Sequence, residues 1–347
     1  MHRQALCTRL RNPWVLDDVR NSSHGARSED PGGYRLSGTI PMWFPGRMSA
    51  SSTTRRPHTS SDVYVNSVGT QARFTEGGAL TGLEAHGVSV LQYPASELED
   101  GLARLVVRRR DGLGESIVSL FGQNAIGRVD WTVDGPVVSA DTAELAIVAT
   151  FRLARDRAAW FWHCRVTNRS SRPVVVDVLH TQDVALASRS AVRTSEYYVS
   201  QYLDVTPLAV PGHGTALAVR QNMPGERAPW ALVGALDVAH LWCTDALQLE
   251  RAGGLGGDLP GARLQHEHTM VGLQTPRYAL EAGETVTTGF YGMVLPDHHG
   301  ATTPDDVRIA EQVLADPAAS PELPDAPASM PAALTGRVIR CSALPPT

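Results

Sequence analysis

The segment WFWHCRVT, Trp160 to Thr167, alternates with a period of two. On an extended backbone Trp160, Trp162, Cys164 and Val166 share one face. Phe161, His163, Arg165 and Thr167 share the other. The run stops at NRSSRP (Asn168 to Pro173), a cluster of turn formers, and Val174-Val175-Val176 begins a second extended run. Two such runs joined by a loop predict a hairpin.

The same texture extends outward from this segment. Short β-branched and aromatic runs recur between Gly, Pro, Asn and Asp from Val63 onward. Expected strands are Gly87 to Tyr93, Ala103 to Arg109, Ala143 to Arg152, Trp160 to Thr167 and Val174 to Ala185. Ala216 to Gln221, Trp230 to Leu236, Ala239 to Thr244, Arg263 to Gln274 and Val286 to Val294 follow. So many strands with almost no helical pattern predict an all-β protein, a large antiparallel β-sandwich. The one expected helix is short and C-terminal, Asp305 to Leu314. Thr303 would cap it and Pro304 would take its first position.

Composition divides the chain further. Residues 1–60 are rich in Ser, Gly, Pro and Arg and predict a poorly structured segment. The sandwich is expected over 61–300 and the helix over 301–316. Residues 317–347 read as a Pro/Ala-rich linker and a truncated tail. A net charge of -5 argues against nucleic acid or a membrane surface as partner. The chain has no lysine, which excludes a lysine-dependent phosphate loop and a Schiff base. Cys7, Cys164, Cys243 and Cys341 are far apart in sequence, which favours a reducing, cytoplasmic setting over a disulfide framework. No apolar run is long enough to span a membrane.

Two blocks carry the functional signal. SEYYVSQYLDVTP (Ser195 to Pro207) has strand-like propensity and combines three tyrosines with Gln201, Glu196 and Asp204. LPGARLQHEHTM (Leu259 to Met270) has a similar character. Aromatic faces stack on the apolar face of a pyranose, and amides and carboxylates bond its hydroxyls. The expected substrate-binding residues are therefore Tyr197, Tyr198, Gln201, Tyr202, Asp204, Gln265, His266, Glu267 and His268. The competing reading makes Tyr198 and Tyr202 core residues with satisfied hydroxyls.

Other constellations are weaker. His266 and His268 would share one face of a strand, but no third metal ligand is evident, so no metal or cofactor is assigned. Asp297-His298-His299 reads as a turn that caps and charges the helix start. Gln182-Asp183 and Glu196 with Asp204 offer carboxylates, with no spacing rule to select a catalytic pair. Gly253-Gly254-Leu255-Gly256-Gly257 reads as a flexible loop, because no strand-to-helix switch surrounds it.

Seven blocks in order then carry a resemblance. They are VLHTQDVALA (178–187), SEYYVSQYLDVTPL (195–208), AVRQN (218–222), APWALVGAL (228–236), CTDALQL (243–249), LPGARLQHEHTMVGLQ (259–274) and GFYGMVLPDHHGATTPDD (289–306). Together they resemble the N-terminal β-sandwich region of glycoside hydrolase family 94, of the 1,2-β-oligoglucan phosphorylase, cellobiose phosphorylase and cyclic β-1,2-glucan synthase type. The resemblance spans Val63 to Asp316. It implies a galactose-mutarotase-like supersandwich, followed in the family by an (α/α)6 barrel. That barrel bears the general-acid aspartate of an inverting phosphorolysis yielding α-glucose 1-phosphate.

No barrel follows here, so no catalytic residue is carried over and a truncated or split gene product is expected. The implied role is a non-catalytic, sugar-binding scaffold. Its expected partners are a β-linked gluco-oligosaccharide and a separately encoded barrel or a second copy. The rival is an autonomous mutarotase-like epimerase using His266, Glu267 and His268; a ligand-free structural sandwich is the third reading.

Overall fold

Side chains of the Trp160 segment fill both faces of one strand, and this sets the layering. A computed structural model describes residues 63–110, 116–122, 125–222, 227–265, 268–320 and 323–324. The expected unstructured segment 1–60, His266, Glu267 and the tail beyond 324 lie outside them.

The strands are β1 (Val63–Val65), β2 (Gln71–Phe74), β3 (Leu80–Ala85), β4 (Val88–Ser89), β5 (Arg104–Arg109) and β6 (Ser116–Ser119). Next come β7 (Arg128–Thr132), β8 (Gly135–Asp141), β9 (Leu145–Leu153), β10 (Ala159–Asn168) and β11 (Val174–Asp183). Helices α1 (Arg189–Thr194) and α2 (Glu196–Gln201) precede β12 (Leu203–Val210), β13 (Gly214–Gln221), β14 (Trp230–Ala235) and β15 (Leu241–Asp245). Helix α3 (Ala246–Arg251), β16 (Thr269–Gln274), β17 (Tyr278–Leu280), β18 (Thr285–Leu295) and α4 (Val307–Leu314) complete the order.

Two large antiparallel sheets face each other. One runs β12-β13-β14-β18-β10-β9-β8-β7 and the other β15-β16-β11-β5-β6, with β17 paired to β11. A small sheet, β1-β2-β3-β4, packs Phe74 onto Phe151 of the larger one at 5.1 Å between rings. The expected antiparallel sandwich with a short C-terminal helix is the architecture found.

The alternation of β10 is realised as read. Trp160, Trp162, Cys164 and Val166 enter the core between the sheets, with Leu105, Val107, Val178 and Phe290. Phe161 points outward into a second apolar layer with Trp230, Tyr291 and Met293. That outer layer is buried because Ala310, Val313 and Ala319 of the C-terminal segment cover it. Arg157 reaches the Gln312 carbonyl, and His163 Nε2 lies 3.0 Å from the Ala318 carbonyl. Residues Pro317–Ala319, inside the stretch whose composition reads as a linker, make a 3-10 turn with Asp316 as cap. Helix α4 is preceded by a 3-10 turn at Pro304–Asp306, and the Thr303 N–H donates to Asp306 at 2.7 Å.

The expected hairpin of β10 and β11 does not form. β10 pairs with β9 and β18, whereas β11 pairs with β5, β16 and β17 in the opposite sheet. Asn168 makes the crossing. Its amide donates to the carbonyls of Arg172, Leu280 and Glu281, and its Oδ1 accepts from the Ser170 N–H. A loop held this way carries the chain between sheets, which a turn-residue count alone does not distinguish from a hairpin.

Candidate functional site

The Ser195 block corrects its expected secondary structure. α1 is capped by Ser188, whose Oγ accepts the Ala191 N–H at 3.2 Å. Ser195 ends α1 and begins α2. A strand would have put Tyr197, Val199 and Gln201 on one face. The helix instead turns Val199 and Ser200 inward together, Val199 onto Ala185, Ala187 and Val192 and Ser200 onto Thr269. Burial of that pair outweighs the strand propensity of tyrosine and valine. The chain is extended only from Leu203.

Tyr197, Tyr198 and Tyr202 are consequently surface residues, 52%, 60% and 43% exposed, so the core reading of Tyr198 and Tyr202 fails. Gln201 is exposed beside them. On a helix Tyr197 with Gln201, and Tyr198 with Tyr202, stand one turn apart. α2 therefore displays an aromatic face with an amide in it.

Hydrogen bonds tie this helix and the start of β12 to the second block. Ser200 Oγ accepts the Thr269 N–H at 2.9 Å, and Thr269 Oγ1 donates to the Ser200 carbonyl at 3.3 Å. Gln265 donates to the Leu203 carbonyl at 3.0 Å. Arg263 bonds both Asp204 and Gln265. Segment 263–265 forms no strand, and the expected strand begins only at Thr269. The strand face proposed for His266 and His268 thus lacks its strand at the described position His268.

His268 is the junction of the surface. Its ring lies 6.1 Å from that of Tyr197 and 6.1 Å from that of Tyr93. The Tyr93 hydroxyl is 3.3 Å from His268 Nδ1 and accepts from Gln92 Nε2 at 3.2 Å. Gln92 and Tyr93 were not among the expected site residues. Their only signal is an aromatic closing an apolar run directly before Pro94.

Beneath them sits Asp183, at the end of β11 and fully buried. Its Oδ2 accepts the N–H groups of Gln92, at 2.6 Å, and of Tyr93. Burial pushes the Asp183 carboxyl up to about 6, against the pull of those two N–H groups and of its own backbone N–H. Gln182 faces the opposite way, into the core, so the two neighbours do not act together. Asp204 is ion-paired at the surface, and the Glu196 side chain lies outside the described residues. No catalytic carboxylate pair is defined.

The remaining constellations are structural. Burial lowers the tendency of Arg108 to hold its proton, opposed by its bond to Asp177 at 2.6 Å. Arg108 also donates to the Gly257 carbonyl, and Arg110 to the Gly256 carbonyl, each at 2.6 Å. The Gly253–Gly257 loop is therefore held, not flexible. It offers carbonyls to arginines, the reverse of an anion-binding loop. His298 stacks on Trp230 at 5.2 Å and meets Asp306 at 3.1 Å, which realises the expected turn at the helix start. Among the described residues no three His, Cys, Asp or Glu side chains converge on a metal position. No described helix is long and apolar enough to cross a membrane.

A cleft of about 1150 Å³ lies apart from this surface, lined by Tyr64, Asn66, Arg152, Arg157 and Asp316 among others. Its Arg152–Asp134 and Arg157–Asp316 charges pair with each other, at 3.1 and 3.0 Å. It includes none of the expected site residues.

Comparison with known proteins decides the family. The model of the SOGP N-terminal domain matches residues 73–292, from β2 into β18. The chain belongs to the SOGP N-terminal domain family. The 1,2-beta-oligoglucan phosphorylase of Listeria innocua serovar 6a is 28% identical to this SOGP N-terminal domain protein over 246 residues. That match covers 66% of this chain and 21% of the relative, so the chain spans about a fifth of the curated relative's length. Among solved structures, a bacterial glucoamylase complexed with acarbose is similar at TM-score 0.46 and 9% identity, over 73% of this chain and 34% of that one. A galactose mutarotase related enzyme from Lactobacillus acidophilus is similar at TM-score 0.40 and 10% identity, over 70% and 100%.

Proposed function

We propose that this SOGP N-terminal domain is the sugar-holding scaffold of a β-glucan phosphorylase of the glycoside hydrolase family 94 type, and that it is not itself catalytic. The observation that carries the reading is the outward aromatic face of α2. Tyr197, Tyr198 and Tyr202 are exposed there, with Gln201, Gln265, Asp204 and the Tyr93–His268 pair alongside. Exposed aromatic rings stack on pyranose faces, and the adjoining amides and carboxylate supply hydroxyl partners. The likeness to a 1,2-beta-oligoglucan phosphorylase supports a β-linked gluco-oligosaccharide as the ligand.

The phosphorolysis itself is assigned to an (α/α)6 barrel acting as the macromolecular partner. The cell compartment proposed is the cytoplasm. Titration of the chain with β-1,2- and β-1,4-linked gluco-oligosaccharides, followed by tryptophan fluorescence, tests the binding half. Saturable change with the β-1,2 series supports it; no change with either series favours a ligand-free sandwich. Phosphate release from α-glucose 1-phosphate with a glucan acceptor tests the other half. Robust turnover by the chain alone would contradict a non-catalytic role. Accelerated mutarotation of fresh α-glucose in polarimetry would favour the epimerase instead.

A further inference from the structure

Asp183 spends a buried charge on a task that a neutral group can perform. Its Oδ2 takes two consecutive backbone N–H groups, from Gln92 and Tyr93, while its Oδ1 is buried with no hydrogen-bond partner among the described residues. A neutral asparagine oxygen accepts these N–H groups too, only more weakly, and without bringing an ion into the interior. Holding the fold therefore does not require the carboxylate. What the charge adds is a stronger grip, because bonds to an ionised acceptor are about twice as strong as neutral ones.

That grip acts on one point. The pinned pair carries Gln92 Nε2 onto the Tyr93 hydroxyl, and that hydroxyl onto His268 Nδ1. His268 in turn faces Tyr197 on the exposed helix. β11 and β16 bring the ends together, since Asp183 is paired with Met270, two residues beyond His268. A continuous path of contacts thus runs from the buried carboxylate to the aromatic face.

We propose that Asp183 is the positioning residue of the saccharide surface: by clamping the Gln92–Tyr93 backbone it fixes the Tyr93 hydroxyl on His268 and so sets the orientation of the His268–Tyr197 edge that meets the sugar. The proposal rests on the saccharide reading of that surface. Asp183 touches no sugar in this scheme and acts only through Tyr93.

The test uses the full chain and the variants Asp183→Asn, Tyr93→Phe and their combination, with a β-1,2-linked gluco-oligosaccharide in calorimetry. Each single variant is expected to weaken binding about tenfold. The double variant is expected to be no weaker than either alone, because both break one path. Wild-type affinity in Asp183→Asn, or losses that multiply in the double variant, would overturn the proposal. Ring resonances of His268, recorded without sugar, give a second readout. They are expected to move in Asp183→Asn as they do in Tyr93→Phe; an unmoved His268 in Asp183→Asn overturns the positioning role. A wild-type chain that binds no saccharide defeats the functional reading, and the His268 spectrum then judges Asp183 by itself.

Discussion

Trp160 on the eight-stranded sheet donates its indole N–H to Oε1 of Gln182 on the six-stranded sheet at 3.3 Å, and both side chains are fully buried. The N–H-bearing edge of the same indole also lies against Gly292 on β18. A Cβ at that position would lie 2.2 Å from the Trp160 ring. The segment that reveals the fold is thus held across the core by a hydrogen bond and along its own sheet by the absence of a side chain.

Replacing Gln182 with Leu removes the acceptor for a buried N–H, but also removes a Gln182 Nε2 that has no partner among the described residues. The net loss is expected to be about 1 kcal/mol, the low end for a buried donor left unpaired. Gly292→Ala forces a methyl into the indole and should cost more, about 1–3 kcal/mol. Urea unfolding of the two variants checks the order; a Gly292→Ala protein as stable as wild type would contradict the packing described.

Asp177 joins two buried arginines. It binds Arg108 at 2.6 Å and Arg110 at 3.2 Å, and both arginines grip the glycine loop. Asp177→Ala strands buried positive charge and is expected to destabilise by about 3–5 kcal/mol. Removing the Arg108–Asp177 pair together, as Arg108→Met with Asp177→Leu, should recover much of that loss, because Arg110 keeps Asp258 at 3.2 Å. Denaturation midpoints of the single and double variants decide.

Acid sensitivity follows from three buried groups. Burial lowers His163 and His180 to about 4, so each favours the folded state fully above about 6.5 and loses that contribution as pH falls towards 4. Asp183 runs the other way. Raised from 3.8 to about 6, it stabilises most below pH 3.8 and loses that contribution as pH rises through 6. Between about pH 4 and 6 the unfolded chain binds roughly two extra protons at the histidines, and the folded chain about one at Asp183. These groups together should lower stability on acidification by about 1.4 kcal/mol per pH unit. Asp183→Asn should steepen the slope and raise stability at pH 7. A slope unchanged by that substitution would show that Asp183 does not titrate in this window.

Much of the fold was legible because a sandwich writes its layers into alternating side chains. β10 kept its two faces as read, β14 falls within its expected run and β18 overruns its own by one residue at each end, whereas β16 begins only at Thr269, well after the expected start at Arg263. Pairing was not legible: NRSSRP promises a turn, and only the Asn168 bonds to Leu280 and Glu281 reveal a crossing between sheets. At the candidate site, residue types suggested a polar aromatic block and missed its geometry. Tyr197 and Tyr198 lie at the surface, but on a helix and not a strand, because Val199 and Ser200 are buried side by side. Tyr93 was missed because what marks it is Asp183, ninety residues away in sequence.

The tyrosine face bears no structural burden in this account. Tyr197→Ala with Tyr198→Ala removes exposed rings, so stability should stay within about 0.5 kcal/mol of wild type. Arg263→Ala should free Asp204 and Gln265 with a similarly small effect on stability, because that pair is exposed. Thermal unfolding checks both, and a large drop in either would recast the surface as structural.

The most direct measurement is calorimetric titration of a β-1,2-linked gluco-oligosaccharide into the wild-type chain and into the Tyr197→Ala, Tyr198→Ala variant. Saturable binding by the wild type, lost in a variant that unfolds at the same temperature, is the predicted result. Equal binding by both proteins, or none by the wild type, would contradict the assignment of this aromatic face to a sugar.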